Sequence, residues 1–338
     1  MTLIFISVLI NFFIILKYKE ISNFLNIYDY PDKERKIHLK KVPLIGGLIV
    51  YINFLLFFIF VIFVPDFFEE NLKSLFQSKL SFFYLFLISS SILILGVYDD
   101  KKNLNANLKF IILVILTFFL IKLNGNLVIE SIYFESLNYT FFTYEYSILL
   151  TILCFLLFIN ASNMYDGINL QLAPYFIFIF LLFLIKLNLF QFSVIFLIPL
   201  LAFCYLNYNG QIFIGNAGAY FISFLIAYIF VKQNNLAMII KPEEIFLIMS
   251  IPGLDLLRLF IYRILKKRNP FSADKNHLHH YIIKNFEIRK SQIFIFFLNI
   301  GPFCVYQLYE SFNVILLTIF IYILIYFLLS KKKTNNVN

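Results

Sequence analysis

Residues 81–100 read SFFYLFLISSSILILGVYDD: eighteen residues without a charge, then the adjacent carboxylates Asp99 and Asp100. A helix needs ~20 predominantly apolar residues to cross the hydrocarbon core of a bilayer. This stretch therefore predicts a spanning helix that delivers two acids to a membrane interface. Outward from it, comparable apolar segments occur at about 1–16, 44–64, 110–123, 147–160, 172–187, 191–206, 218–231, 244–257, 293–309 and 313–330, which makes eleven in all. The shorter ones must borrow flanking residues to cross. The expected fold is an all-α polytopic membrane protein of about eleven transmembrane helices, organised as one domain over 1–338.

Composition agrees. Of 338 residues, 61% are hydrophobic and 14% charged, against roughly 45–50% and 25% in a globular domain. A soluble two-domain enzyme is excluded, and so is disorder, whose signature is low hydrophobicity. Cys154, Cys204 and Cys304 each lie in an apolar run. Their odd number and wide spacing make neither a disulfide framework nor a metal cluster, so they read as small buried hydrophobes. The first run, Met1 to Leu16, has no basic residue before it and no small-residue cleavage site after it, so it reads as a retained helix. The chain has no Trp, leaving 22 Tyr to serve at the interfaces.

Orientation follows from the basic residues. The segments 17–43, 99–109, 160–171, 205–217, 258–292 and the tail from Ser330 hold 22 of the 28 Lys and Arg. By the positive-inside rule these are cytoplasmic. An odd number of spans then puts the N-terminus outside and the C-terminus in the cytoplasm. All four histidines (His38, His277, His279 and His280) fall in this set, and eight of the ten glycines lie in or beside it. Ionisable side chains and flexible backbone thus gather on one membrane face, which reads as an active face.

Four stretches on that face carry chemistry. Adjacent carboxylates at Asp99-Asp100 repel each other unless a cation offsets them. Mg²⁺ suits the role, being held through one or two carboxylates while substrate phosphates complete its shell. The alternative is a solvated helix end balanced by Lys101 and Lys102. The run Asn160 to Asn169 (NASNMYDGIN) offers amide and carboxylate oxygens for a hard cation or a nucleotide, or equally a cap and a turn. Asn207 to Ala219 (NYNGQIFIGNAGA) places small residues before an apolar helix, where backbone N–H groups can approach an anion, or simply turns the chain. Last, Arg263, Lys266, Lys267 and Arg268 precede His277-Leu278-His279-His280. Zinc lacks a fourth close ligand there, and donors spread along a nucleotide diphosphate fit better.

Taken in order, these motifs resemble the polyprenyl-phosphate N-acetylhexosamine-1-phosphate transferases. That family includes the enterobacterial-antigen and teichoic-acid initiating enzymes and the phospho-muramoyl-pentapeptide translocase. The resemblance runs from Asp29-Tyr30-Pro31-Asp32-Lys33-Glu34-Arg35-Lys36-Ile37-His38 and Pro43-Leu44-Ile45-Gly46-Gly47 through Asp99-Asp100 with Lys109. It continues over Asn163 to Gly167 and Ile212 to Gly218, and closes at His277 to His280. The His-x-His-His spacing is similar to the antigen-initiating branch.

The resemblance implies attack by the phosphate of undecaprenyl phosphate on the β-phosphorus of a UDP-N-acetylhexosamine, releasing UMP and initiating a cell-envelope polysaccharide. It implies Mg²⁺, with Mn²⁺ as the alternative, and a multi-pass protein of a bacterial inner membrane with its active face in the cytoplasm. Its partners are those two substrates and the bilayer, with no nucleic acid. The catalytic set it implies is Asp99, Asp100 and Asp166, with Asp99 open between base and orienter of metal or substrate. Asp100, Asn163 and Asn216 go to the metal, and Arg35, Lys36, His38 and Lys109 to phosphates. His277, His279 and His280 go to the nucleotide or pyrophosphate, and Asn169 and Arg263 join the substrate-binding set.

Two positions depart from the family pattern. Asn216 stands where the family has a metal-ligating Asp, which removes a full negative charge. Leu170 stands where the family has a turn glycine. A homologue that binds lipid phosphate or nucleotide sugar without efficient turnover is therefore the second reading. A transporter ranks last, because it would carry ionisable groups at mid-membrane and the helix middles here are almost bare of charge.

Overall fold

A hydrocarbon medium offers no partner for backbone N–H and C=O, so each apolar segment must satisfy its own as a helix. The computed structural model, which describes residues 1–31, 40–236, 239–270 and 276–331, contains a helix at every one of the eleven segments. In chain order the helices are α1 (Thr2–Leu25), α2 (Gly46–Phe63), α3 (Phe67–Asn71), α4 (Lys73–Phe76), α5 (Lys79–Lys102), α6 (Ala106–Leu123) and α7 (Ser147–Tyr165). Then follow α8 (Leu172–Lys186), α9 (Phe190–Tyr208), α10 (Gly215–Leu236), α11 (Pro242–Leu265), α12 (Leu278–Asn285), α13 (Ile288–Tyr309) and α14 (Asn313–Lys331). Ten of these are long and apolar enough to cross a membrane by length and composition. The eleventh expected span, α8, has only 15 residues, about 22 Å of helix. It packs along α9, where the Phe180 and Phe196 rings stack at 4.6 Å.

Among the described residues, sheet is confined to two ribbons, β1 (Tyr28–Asp29) with β2 (Val42–Pro43) and β3 (Ser131–Phe134) with β4 (Tyr139–Phe142). Both are antiparallel. The first ribbon extends onto the segment before α10 through Phe213 N–H to the Pro43 carbonyl at 2.9 Å. Gly46 N–H and Gly47 N–H return to the carbonyls of Phe213 and Ile214. The second ribbon is tied to α11 by Glu243, whose carboxylate accepts from the Ser136 N–H and hydroxyl at 3.0 and 2.8 Å.

The core is built around α10, of whose 22 residues 19 are buried. Helices α2, α5 and α7 pack on it, while outer helices turn residues such as Phe12, Phe119 and Phe320 outward. Lipid is as apolar as leucine, so helices associate there through close packing of small residues and through polar contacts. Both devices are present. A Cβ on Gly47 would lie 2.2 Å from Gly218 N, and one on Gly96 would lie 2.4 Å from Ala217 Cα, so three helices meet backbone to backbone. Between α1 and α2, Ser7 Oγ and Asn11 Nδ2 both donate to Asn53 Oδ1, at 2.6 and 2.9 Å.

Neither backbone at the Gly96 contact can yield without moving its helix. We expect Gly96→Ala to cost about 1–3 kcal/mol, the usual range for overpacking, read as a lower thermal midpoint in detergent. A midpoint equal to wild type would show that the contact is looser than described.

Candidate active site

One end of the bundle opens into a cavity of about 680 Å³. Its wall is made where α5 and α7 end, where α10 and α13 begin, by the end of β1 and the residue after β2, by the end of α9 and the loop that follows it, and by α12. Every lining residue thus comes from the Lys- and Arg-rich set of segments or its margins.

Asp100 organises one wall. Its Oδ1 accepts from the Asn216 N–H at 2.8 Å and its Oδ2 from the Ala217 N–H at 3.1 Å. The first turn of a helix has unpaired N–H groups and the positive end of its dipole, so this carboxylate caps α10 from another helix. Gly215 makes the approach possible: its φ is +71°, and a Cβ there would sit 2.6 Å from Asp100 Oδ2. Asn216 is thereby brought against Asp100 on the cavity wall.

Asp99 points elsewhere. It is 1% exposed and lies outside the cavity lining. Its carboxylate accepts from Lys109 Nζ (3.0 Å), Tyr220 OH (3.0 Å) and Leu104 N–H (2.9 Å). Lys109 is therefore engaged with Asp99 and does not line the cavity either. The pair fixes the α5–α6 corner against α10.

The opposite wall is the segment after α7, with Asn163, Asp166, Gly167, Ile168 and Asn169 all on the cavity. Asp166 is open to the cavity yet surrounded by protein, and burial pushes its pKa up from 3.8 to about 7. Loop geometry is held from two sides: Asn207 Oδ1 accepts from Leu170 N–H at 2.8 Å, and Gln292 Nε2 donates to the Asn169 carbonyl at 2.7 Å. Leu170 adopts φ +55°. A branched side chain in the left-handed region costs about 1–2 kcal/mol, so the backbone keeps the conformation a glycine would take without having one.

The histidines divide. His280 lines the cavity, whereas His277 and His279 are buried behind it. The His277 and His279 rings are near parallel at 5.3 Å, and His279 meets His280 at 4.2 Å. Burial, and then the neighbouring His280 and His277, lower the His279 pKa well below its ordinary value, so that ring is neutral. It packs on Gly167, where a Cβ would meet Nε2 at 2.0 Å. Arg263 is 2% exposed, donates to the Pro270 carbonyl at 2.7 Å, and lies off the cavity. Arg35, Lys36 and His38 fall outside the described residues.

Several wall residues had not been singled out: Asp29, Asn103, Arg289 and Gln292. Asp29 opens the first motif, and Arg289 and Gln292 follow the histidines in a basic segment, so position alone could have flagged them. Among the described residues no three His, Cys, Asp or Glu side chains converge to enclose a metal ion. What the cavity does offer is oxygen: the carboxylates of Asp100 and Asp166 with the amides of Asn163 and Asn216. That donor set fits a hard cation that keeps water and substrate phosphates in its shell, and it does not fit zinc.

No curated protein matches the chain. The model of glycosyl transferase family 4 matches residues 82–234, a stretch that contains Asp99, Asp100, Asn163, Asp166 and Asn216 and ends before the histidines. Over those residues the chain is similar to glycosyl transferase family 4, the family of polyprenyl-phosphate sugar-1-phosphate transferases.

Proposed function

We propose that the chain transfers an N-acetylhexosamine 1-phosphate from its UDP-sugar to undecaprenyl phosphate, releasing UMP, at the cytoplasmic face of a bacterial inner membrane. The observation that carries this reading is the shared cavity of Asp100, Asn163, Asp166 and Asn216 at the basic end of the bundle. Among the described residues its wall holds three carboxylates, Asp29, Asp100 and Asp166, against one Arg, Arg289. A counter-ion at those carboxylates would offset the charge where a diphosphate and a phosphate gather. Family members are generally divalent-metal dependent, and Mg²⁺, or Mn²⁺ in its place, is the cation this donor set suits.

Phosphoryl transfer asks for positioning and charge neutralisation more than for covalent chemistry. A phosphate monoester has its second pKa near 6, so the lipid phosphate arrives largely dianionic. Its oxygen bonds to the β-phosphorus, the bond from that phosphorus to the bridging oxygen breaks, and UMP leaves with that oxygen. No proton need move, so a strong base is dispensable. Asp99, already accepting three hydrogen bonds, acts as a positioning residue for α5 and Lys109. Asp100, Asn163, Asp166 and Asn216 would hold the cation, which would supply charge neutralisation to the phosphates. His280 and Arg289 reach the nucleotide diphosphate, with His277 and His279 behind them. The weakened-homologue reading draws on Asn216, which supplies one fewer charge than an Asp, and on the strained Leu170.

The direct test incubates membranes containing the protein with radiolabelled UDP-N-acetylhexosamines, undecaprenyl phosphate and Mg²⁺. Labelled lipid and stoichiometric UMP are expected; folded protein giving no labelled lipid with any UDP-sugar overturns the transferase reading. In the same assay Asn216→Asp should lower the half-maximal Mg²⁺ concentration by about tenfold, equivalent to ~1.4 kcal/mol. An equal or higher requirement would remove Asn216 from the metal site. A third expectation concerns pH. Protons compete with the cation for Asp166, whose pKa is about 7, so the carboxylate is mostly protonated at pH 6 and mostly free at pH 8. The half-maximal Mg²⁺ should fall by about an order of magnitude over that range, and a flat profile would count against Asp166 as ligand.

A further inference from the structure

Behind the histidines lies a buried cluster that the reaction outlined above leaves unused. Asp255, on α11, is 6% exposed. Its Oδ1 accepts from Arg258 Nη2 at 2.8 Å and from Tyr322 OH at 2.9 Å. Its Oδ2 faces His277 Nδ1 at 3.1 Å. The Leu278 N–H, at the start of α12, reaches both oxygens, at 3.2 and 3.3 Å. Arg258 is itself held: Nε donates to Tyr322 OH at 3.0 Å, Nη2 donates to the Asn276 carbonyl, and the guanidinium lies 4.1 Å from the Tyr326 ring centroid. Two tyrosines of the last helix thus anchor the segment that carries the histidines.

We propose that Asp255 is a positioning residue for the histidine segment. It fixes the tautomer of His277 and, through the ring contacts from His277 to His279 to His280, the pose of the imidazole on the cavity wall. A carboxylate beside a guanidinium is ionised and can only accept, so the proton between Asp255 and His277 sits on Nδ1, which in the neutral ring leaves Nε2 bare. A second-sphere carboxylate that orients an imidazole in this way is a general device for fixing ring pose. His277 lies parallel to His279 at 5.3 Å, and His279 touches His280 at 4.2 Å, so a rotation of the first ring displaces the third. Asp255, Arg258 and Tyr322 all lie beyond the residues that match the family. The effect on rate rests on the transferase reading; the effect on the tautomer does not.

The test uses the full chain in lipid vesicles with ¹⁵N-labelled histidine, the His277 signal being assigned by its loss in His277→Gln. In Asp255→Asn the amide oxygen keeps the side where Arg258 and Tyr322 both donate, which turns the NH₂ toward His277. The expected result is Nδ1–H in wild type and Nε2–H in Asp255→Asn. Alongside it, kcat falls at least tenfold while KM for undecaprenyl phosphate changes less than twofold. A His277 that stays Nδ1–H in the variant, or a variant that transfers at the wild-type rate, overturns the proposal. Should Asp255→Asn fail to fold, Tyr322→Phe decides: it keeps the carboxylate and removes one donor, with a loss in kcat of about threefold expected and an unchanged kcat overturning the role. If wild type itself transfers no sugar phosphate, the transferase reading fails and the tautomer alone decides on Asp255.

Discussion

The structure depends on a carboxylate of one helix accepting hydrogen bonds from the first turn of another. Asp100 closes the N-terminus of α10, and α10 is the helix on which α2, α5 and α7 are assembled. An N-terminal turn buried without acceptors would leave N–H groups unpaired, at a cost of about 1–3 kcal/mol each. The same contact sets the position of Asn216 and one wall of the cavity. Fold and site therefore share an interaction, and the glycines at 47, 96 and 215 exist to let the backbones come close enough for it.

Polar side chains in this protein fall into a few groups with distinct work. On the cavity they are oxygen-rich and only partly satisfied among themselves, which is what a site awaiting charged substrates requires. Behind the cavity two carboxylates are fully engaged: Asp99 with Lys109, Tyr220 and Leu104, and Asp255 with Arg258, Tyr322 and His277. At the far end of the bundle, Glu244 is held by Lys186 and Gln307 while Glu243 holds the β3–β4 ribbon. Burial in a low-dielectric surrounding makes an unpaired charge expensive, which is why each of these buried carboxylates carries partners.

Apolar run length made eleven of the fourteen helices legible, all but the short α3, α4 and α12, and scarcity made the polar face legible, because a His or Gly in so apolar a chain stands out. Which way each side chain faces was not legible. Consecutive residues on a helix point about 100° apart, so Asp99 and Asp100 could not both face one cavity, and nothing local says which of them meets α10. The same geometry hid Arg263, which turns inward to its own loop. It also hid Asp255, an acid inside a segment read as a plain apolar span. His277 and His279 share a motif with His280, but the short helix α12 presents only one of the three to the cavity.

The buried character of α10 also bears on how the protein is made. Its mean hydropathy of 1.3 is the lowest of the ten candidate spans, and it carries Lys232 with no exposed surface, so on its own it is the span that partitions least readily into lipid. Yet α2, α5 and α7 all precede it in the chain. By the time α10 leaves the ribosome its three neighbours have been synthesised, and the environment it enters can be protein instead of bilayer. Synthesis order thus supplies what its own composition lacks. A rearranged chain that delivered α10 first would have to insert this span before any of its partners existed.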